Sequence, residues 1–235
     1  VEGTAELPNL SKIATTIGRY RPDRVRYPQA ARDLTSRECR AYGEQYIDET
    51  RRHRVLGRPF FTDKLPNNFP QIGFLHLVLS NAKVVNTRRH PLDSCLGAYK
   101  QLFGKGQNFT SDMEDLSEYY QTYIAMIDHW HKVLPGKVLD VHYEDTVLDF
   151  ENQVRRILDH CGLPFDEACL RFHENPRAVK TASSEQVRQP IYTGSLGLWR
   201  KYETHLAPWQ ESLKDIISAL PEHIRNAGAT VQLQG

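Results

Sequence analysis

The chain is 235 residues long, 40% hydrophobic and 25% charged, with a formal net charge of +1. That length and apolar content suffice for one α/β domain with a sizeable core, and the near-zero charge balance excludes a global polyanion-binding surface, so any anion site must be local. No apolar run reaches membrane-spanning length and no signal peptide is visible. Cys39, Cys95, Cys161 and Cys169 form no CxxC pair, which reads as a reduced, cytoplasmic setting rather than a disulfide framework.

In chain order, the sequence opens on Val1-Glu2-Gly3 rather than Met, so the original N-terminus is expected to lie upstream. Residues 15–58 read as a helical insertion or lobe of a single domain over 1–235. Within it the capping box Thr35-Ser36-Arg37-Glu38 starts a polar helix to about Arg54. Phe60–Lys64 reads as a weak strand. A short helix from about Asn68 carries Ile72, Phe74, Leu75 and Val78, and Lys83–Arg88 reads as a strand. A second box, Ser111-Asp112-Met113-Glu114, starts a helix carrying Leu116, Tyr120, Tyr123, Ile127 and Trp130. Lys137–Tyr143 is a further strand. A helix after Thr146 shows Val154, Ile157, Leu158 and Cys161 on one face, and Gly162 with Pro164 ends it. Arg171 to Tyr192 is a long irregular segment of the kind that often carries function, and a terminal helix is expected over about 209–220. Strands alternating with helices argue for an α/β fold whose parallel sheet is flanked by helices.

The sharpest local signal is Val84-Val85-Asn86-Thr87-Arg88-Arg89-His90-Pro91-Leu92-Asp93. A strand ends in arginines, and proline stands where a helix begins, a position that its missing N–H suits. Arg89 therefore sits beside a helix N-terminus at the carboxyl end of a strand. Dipole, amides and guanidinium can converge there on an anion, although pairing with an acidic neighbour is the plainer alternative. His129-Trp130-His131 is not read as a metal site, because residues two apart face away from each other on a helix.

Arg-His-Pro-Leu-Asp after a hydrophobic strand resembles the motif with which PAPS-dependent sulfotransferases bind the 3′-phosphate of 3′-phosphoadenosine 5′-phosphosulfate. Arg89 matches the arginine of that motif, but the serine eight positions later is Gly97 here. Val141-His142-Tyr143-Glu144-Asp145 resembles the segment whose tyrosine contacts adenine. Thr181 to Val187, followed by Pro190 and Trp199, resembles the nucleotide-covering segment of protein-tyrosine sulfotransferases and their bacterial tetratricopeptide-repeat relatives, with Ser183 matching its serine. Thr62-Asp63-Lys64-Leu65-Pro66 is similar to the strand-end segment whose lysine stabilises charge on the transferring group. Val1 to Leu7 is similar to the segment whose glutamate takes the acceptor proton.

The resemblance thus implies Glu6 and Lys64 as catalytic residues, Arg89, Gly97, Tyr143 and Ser183 as the cofactor-binding positions, PAPS as cofactor with PAP as its product, and no metal. The acceptor would be a hydroxyl of a peptide tyrosine, a carbohydrate or a small molecule; neither nucleic acid nor membrane is implied as a partner. No Pro-Arg-Ser-Gly-Thr-like phosphosulfate loop occurs in the sequence, so the fold is expected to lack its first strand-loop-helix unit, and residues 1–235 alone are expected to bind PAP weakly with negligible turnover. The alternative is a non-catalytic relative that binds a nucleotide or a partner.

Overall fold

The computed structural model describes residues 1–101, 103, 107–175 and 186–229. Strand β1 (Glu2–Gly3) lies parallel to β2 (Phe61–Thr62), with Glu2 opposite Phe61 and Gly3 opposite Thr62. Backbone bonds from Glu2 N to Phe60 O and from Thr4 N to Thr62 O, at 2.7 and 3.2 Å, extend the pairing by a residue at each end. The chain groups into two compact units: Val1–Val84 with Met126–Pro135, and Val85–Ala125 with the described residues from Gly136 onward.

In the first unit, α1 (Asn9–Thr16) turns Leu10, Ile13 and Ala14 inward, and with Ile17 they pack into one cluster with Tyr46 and Phe74. The Thr35 box forms as the sequence predicts: Thr35 Oγ1 accepts from Glu38 N and Glu38 Oε2 accepts from Thr35 N. Helix α2 (Ser36–Thr50) stops short of the predicted Arg54 and tightens into a 3₁₀ turn over Arg51–His53. A 3₁₀ segment, Pro66–Gln71, leads into α3 (Ile72–Val78). Gly43 lets α2 and α3 approach at backbone distance, because a Cβ there would stand 2.2 Å from the Val78 carbonyl oxygen.

The second sheet pairs β3 (Val84–Arg88) with β4 (Val138–His142). Between them run α4 (Pro91–Tyr99) and α5 (Met113–Val133). Residues 126–133 of α5 belong to the first unit. The cap of α5 is Asp112 rather than the expected Ser111. Asp112 Oδ1 accepts from the amides of Glu114 and Asp115 at 2.8 and 3.0 Å, while Ser111 Oγ bonds back to Asn108 O. A carboxylate there meets both the free amides and the positive helix end.

Beyond β4 come α6 (Tyr143–Leu148) and α7 (Phe150–Cys161), which Gly162 ends in the left-handed region at φ 66°. After a 3₁₀ run over Leu198–Leu206, the predicted terminal helix is split into α8 (Ala207–Ser212) and α9 (Lys214–Ser218), followed by α10 (Glu222–Arg225). The break falls at Leu213, whose side chain is fully buried with Leu92, Cys95, Leu96, Leu116, Trp199, Leu206 and Trp209. Packing decides there over helical continuity. The chain is a helix-rich α/β structure with small parallel sheets flanked by helices, in agreement with the sequence reading.

Leu213→Ala is expected to lower unfolding stability by about 3 kcal/mol, because it opens a cavity in the core of the second unit. Thr35→Ala, which only removes a cap, is expected to cost about 1 kcal/mol. Urea unfolding monitored by circular dichroism measures both.

Candidate active site

Charged groups gather at a strand end in each unit. In the first, the chain alternates inward and outward on both sides of the β1–β2 pair. Leu7 is buried and Glu6 exposed; Asp63 is half-buried and Lys64 exposed. Asp63 Oδ1 accepts from Leu7 N at 3.2 Å and Asp63 Oδ2 accepts from the Tyr46 phenol at 2.7 Å. Burial raises the Asp63 carboxyl pKa, and it raises that of the Tyr46 phenol, with Asp63 adding to the latter. This anchor fixes the residues on either side, and the Lys64 ammonium donates to the Glu6 carboxylate, the two being 58 positions apart in sequence. Their side chains remain 65% and 45% exposed. A pair so open to water contributes at most about 1 kcal/mol to stability.

In the second unit the two adjacent arginines part company. Arg88 bonds Asp140 Oδ2 at 2.9 Å, and Asn86 Nδ2 donates to Asp140 Oδ1, so Arg88 serves the β3–β4 sheet. Arg89 turns to the end of β3. Its Nη2 donates to the Ser195 carbonyl and stands 3.4 Å from Asp93 Oδ2, and its guanidinium lies 4.8 Å from the centre of the Tyr143 ring. Its Nε is buried with no hydrogen-bond partner among the described residues. The Tyr143 hydroxyl is 2.5 Å from Ser195 Oγ. Arg89 and Tyr143, singled out separately in the sequence, therefore meet. Gly97 lies exposed on α4 with open space where a Cβ would stand, and Ser183 lies outside the described residues.

Two buried carboxyls organise this cluster. Asp93, 3% exposed, accepts from the amides of Gly197 and Trp199 at 2.9 and 2.8 Å. Glu144, fully buried, accepts from His90 N at 2.8 Å. Burial raises both pKa values against the opposing pull of these bonds and of Arg89. His90 Nδ1 accepts from Leu92 N at 3.3 Å and its ring stacks on Trp199 at 5.3 Å. Pro91 brings no N–H and the Leu92 amide is taken by His90, so the first turn of α4 has fewer free amides than the sequence reading supposes. Burial first, then Arg200 and Arg89, lower the His90 pKa to about 4.

Sequence reasoning passed over Ser195, Asp63 and the roles of Asp93 and Glu144. Asp93 and Glu144 stood inside quoted motifs, and Asp63 immediately precedes the lysine. Ser195 carried no local signal. Among the described residues no cluster of His, Cys, Asp or Glu could hold a metal ion, no helix is long and apolar enough to cross a membrane, and the four cysteines are free.

In the second unit a cationic strand end thus faces a tyrosine beside a helix start, on a helix-rich α/β frame. Residues 6–167 match the sulfotransferase family, and the chain belongs to that family. An uncharacterized protein of Aquifex aeolicus (strain VF5) is 31% identical over 221 residues, an alignment covering 89% of this chain and 28% of that protein. The chain thus spans less than a third of the length of this relative.

The unfolded chain protonates His90 below about 6.5 and the folded chain only below about 4, so the unfolded state binds more protons in that window and this residue's share of stability, about 3 kcal/mol, is lost as pH falls through it. Asp93 and Glu144, with raised values, act in the opposite direction, so the test is a difference. His90→Asn, which keeps a capping acceptor, is expected to gain stability relative to the parent as pH falls from 6.5 to 4, read as the difference between the two in urea titrations.

Proposed function

We propose that this chain carries the acceptor-activating and nucleotide-holding groups of an enzyme that transfers a sulfuryl group from PAPS to an acceptor hydroxyl. The observation that carries the reading is the contact of Glu6 with Lys64: a solvent-facing pair, held in register by the half-buried Asp63 anchor, that stability alone does not account for. PAPS, when bound, supplies a sulfuryl group on a phosphate leaving group. The Glu6 carboxylate takes the proton of the acceptor hydroxyl as its oxygen bonds to sulfur. The Lys64 ammonium donates to the oxygen that gains charge as the bond to the phosphate breaks. Pairing of the two in the free protein keeps both charges at the strand end until acceptor and donor part them.

The residues of the second unit suit the nucleotide in part. Arg89, whose Nε is buried with no partner among the described residues and whose ion-pair carboxylate, Asp93, also serves two backbone amides, suits a 3′-phosphate, and Tyr143 beside it suits the adenine. Gly97 offers no side chain for that phosphate. The finer kinship with protein-tyrosine sulfotransferases, and with it a tyrosine peptide as acceptor, belongs to the same proposal, as does a cytoplasmic location.

The test is transfer of labelled sulfate from PAPS to phenols, sugars and tyrosine peptides, by residues 1–235 and by a chain extended upstream. Activity is expected from the extended chain. Lys64→Ala is expected to lower it about 10²–10³-fold and Glu6→Gln about 10²–10⁴-fold, with PAP affinity little changed. An active chain indifferent to both substitutions overturns the catalytic roles. No transfer to any acceptor by either chain favours the non-catalytic alternative.

A further inference from the structure

Ser195 lies between the two residues of the second unit to which the proposed nucleotide site is assigned. Its carbonyl accepts from Arg89 Nη2 and its hydroxyl is 2.5 Å from the Tyr143 phenol. The turn that carries it is pinned. Leu196 N bonds Thr193 O at 2.9 Å, the Leu196 side chain is buried, and the Gly197 amide donates to Asp93. Gly197 has φ 62°, and a Cβ there would meet Ala227 O at 2.6 Å, so the turn is built for glycine alone.

Either hydroxyl of the Tyr143–Ser195 contact can donate; with the phenol, the stronger acid, as donor to Ser195 Oγ, the Ser195 proton is left for another acceptor. Beside it stands a guanidinium whose nearest carboxylate, Asp93, is already shared with two amides, and whose Nε has no partner among the described residues. A hydroxyl donor next to an incompletely balanced cation is a binding group for an anionic oxygen. Gly97, farther along α4, contributes nothing comparable.

We infer that Ser195 is a phosphate-binding residue: its hydroxyl donates to the same phosphate monoester that Arg89 holds, the 3′-phosphate of the nucleotide. The inference rests on the nucleotide-site reading given above. Tyr143 then has a second task, orienting the Ser195 hydroxyl by donating to it.

Calorimetric titration with adenosine 3′,5′-bisphosphate, and with adenosine 5′-phosphate as the probe lacking the 3′-phosphate, tests this in the parent chain, Ser195→Ala, Ser195→Thr and Arg89→Ala. A hydrogen bond to a charged group predicts that Ser195→Ala weakens the bisphosphate about tenfold or more while leaving adenosine 5′-phosphate and the unfolding midpoint unchanged, and that Ser195→Thr restores the affinity. Bisphosphate affinity unchanged in Ser195→Ala overturns the inference, as does an equal loss for both ligands with a lowered midpoint, which marks a purely structural role. Failure of Ser195→Thr to restore binding overturns it too. If Arg89→Ala also leaves bisphosphate binding intact, or the parent chain does not prefer the bisphosphate, the nucleotide-site reading falls, and Ser195 falls with it.

Discussion

The second unit is organised around a carboxyl group that has almost no water. Asp93 sits in the first turn of α4, where a solvated carboxylate favours the helix dipole, yet it is turned inward and 3% exposed. Removing a charge from water is costly unless donors replace the solvent, and Asp93 finds them in the amides of Gly197 and Trp199 and in the Arg89 guanidinium. Those bonds tie residues 195–199 to the start of α4 across more than 100 positions of sequence. Ser195, the Trp199 stack on His90 and the orientation of Arg89 follow from that attachment.

Arg89 is consequently under-determined by its protein partners. Arg88, one residue earlier, is satisfied by a carboxylate that also holds Asn86, and it works as part of the sheet. Arg89 shares its carboxylate with two amides, lies over an aromatic face and leaves Nε without a partner among the described residues. The surrounding charges bear on this balance: burial, with Arg200 and Arg89, keeps His90 neutral near physiological pH.

Residue types with strong local preferences were legible in the sequence. The Thr35–Glu38 box, the Pro91 start, the Gly162 stop and the β-branched runs of β3 and β4 each formed, because each depends on neighbours a few residues away. The Arg89–Tyr143 encounter was legible only through family order, since nothing local relates a strand end to a tyrosine more than 50 positions later. The β1 strand is two residues long and has no pattern to read; its pairing is set wholly by β2. The break at Leu213 was hidden for the opposite reason, because a locally continuous helix yields to a core position. Ser195 was unreadable because its carbonyl does half the work, and a carbonyl is common to all residues.

The β1–β2 closure has a kinetic side. The contacts that bring Glu6 to Lys64 join segments some 58 positions apart, through two paired residues and a handful of flanking bonds. Closing so long a loop is entropically expensive and is rewarded only once the intervening helices have packed. The Glu6–Lys64 contact is therefore among the last features of the first unit to assemble, and a chain can hold native helix content and a formed core before it holds that contact.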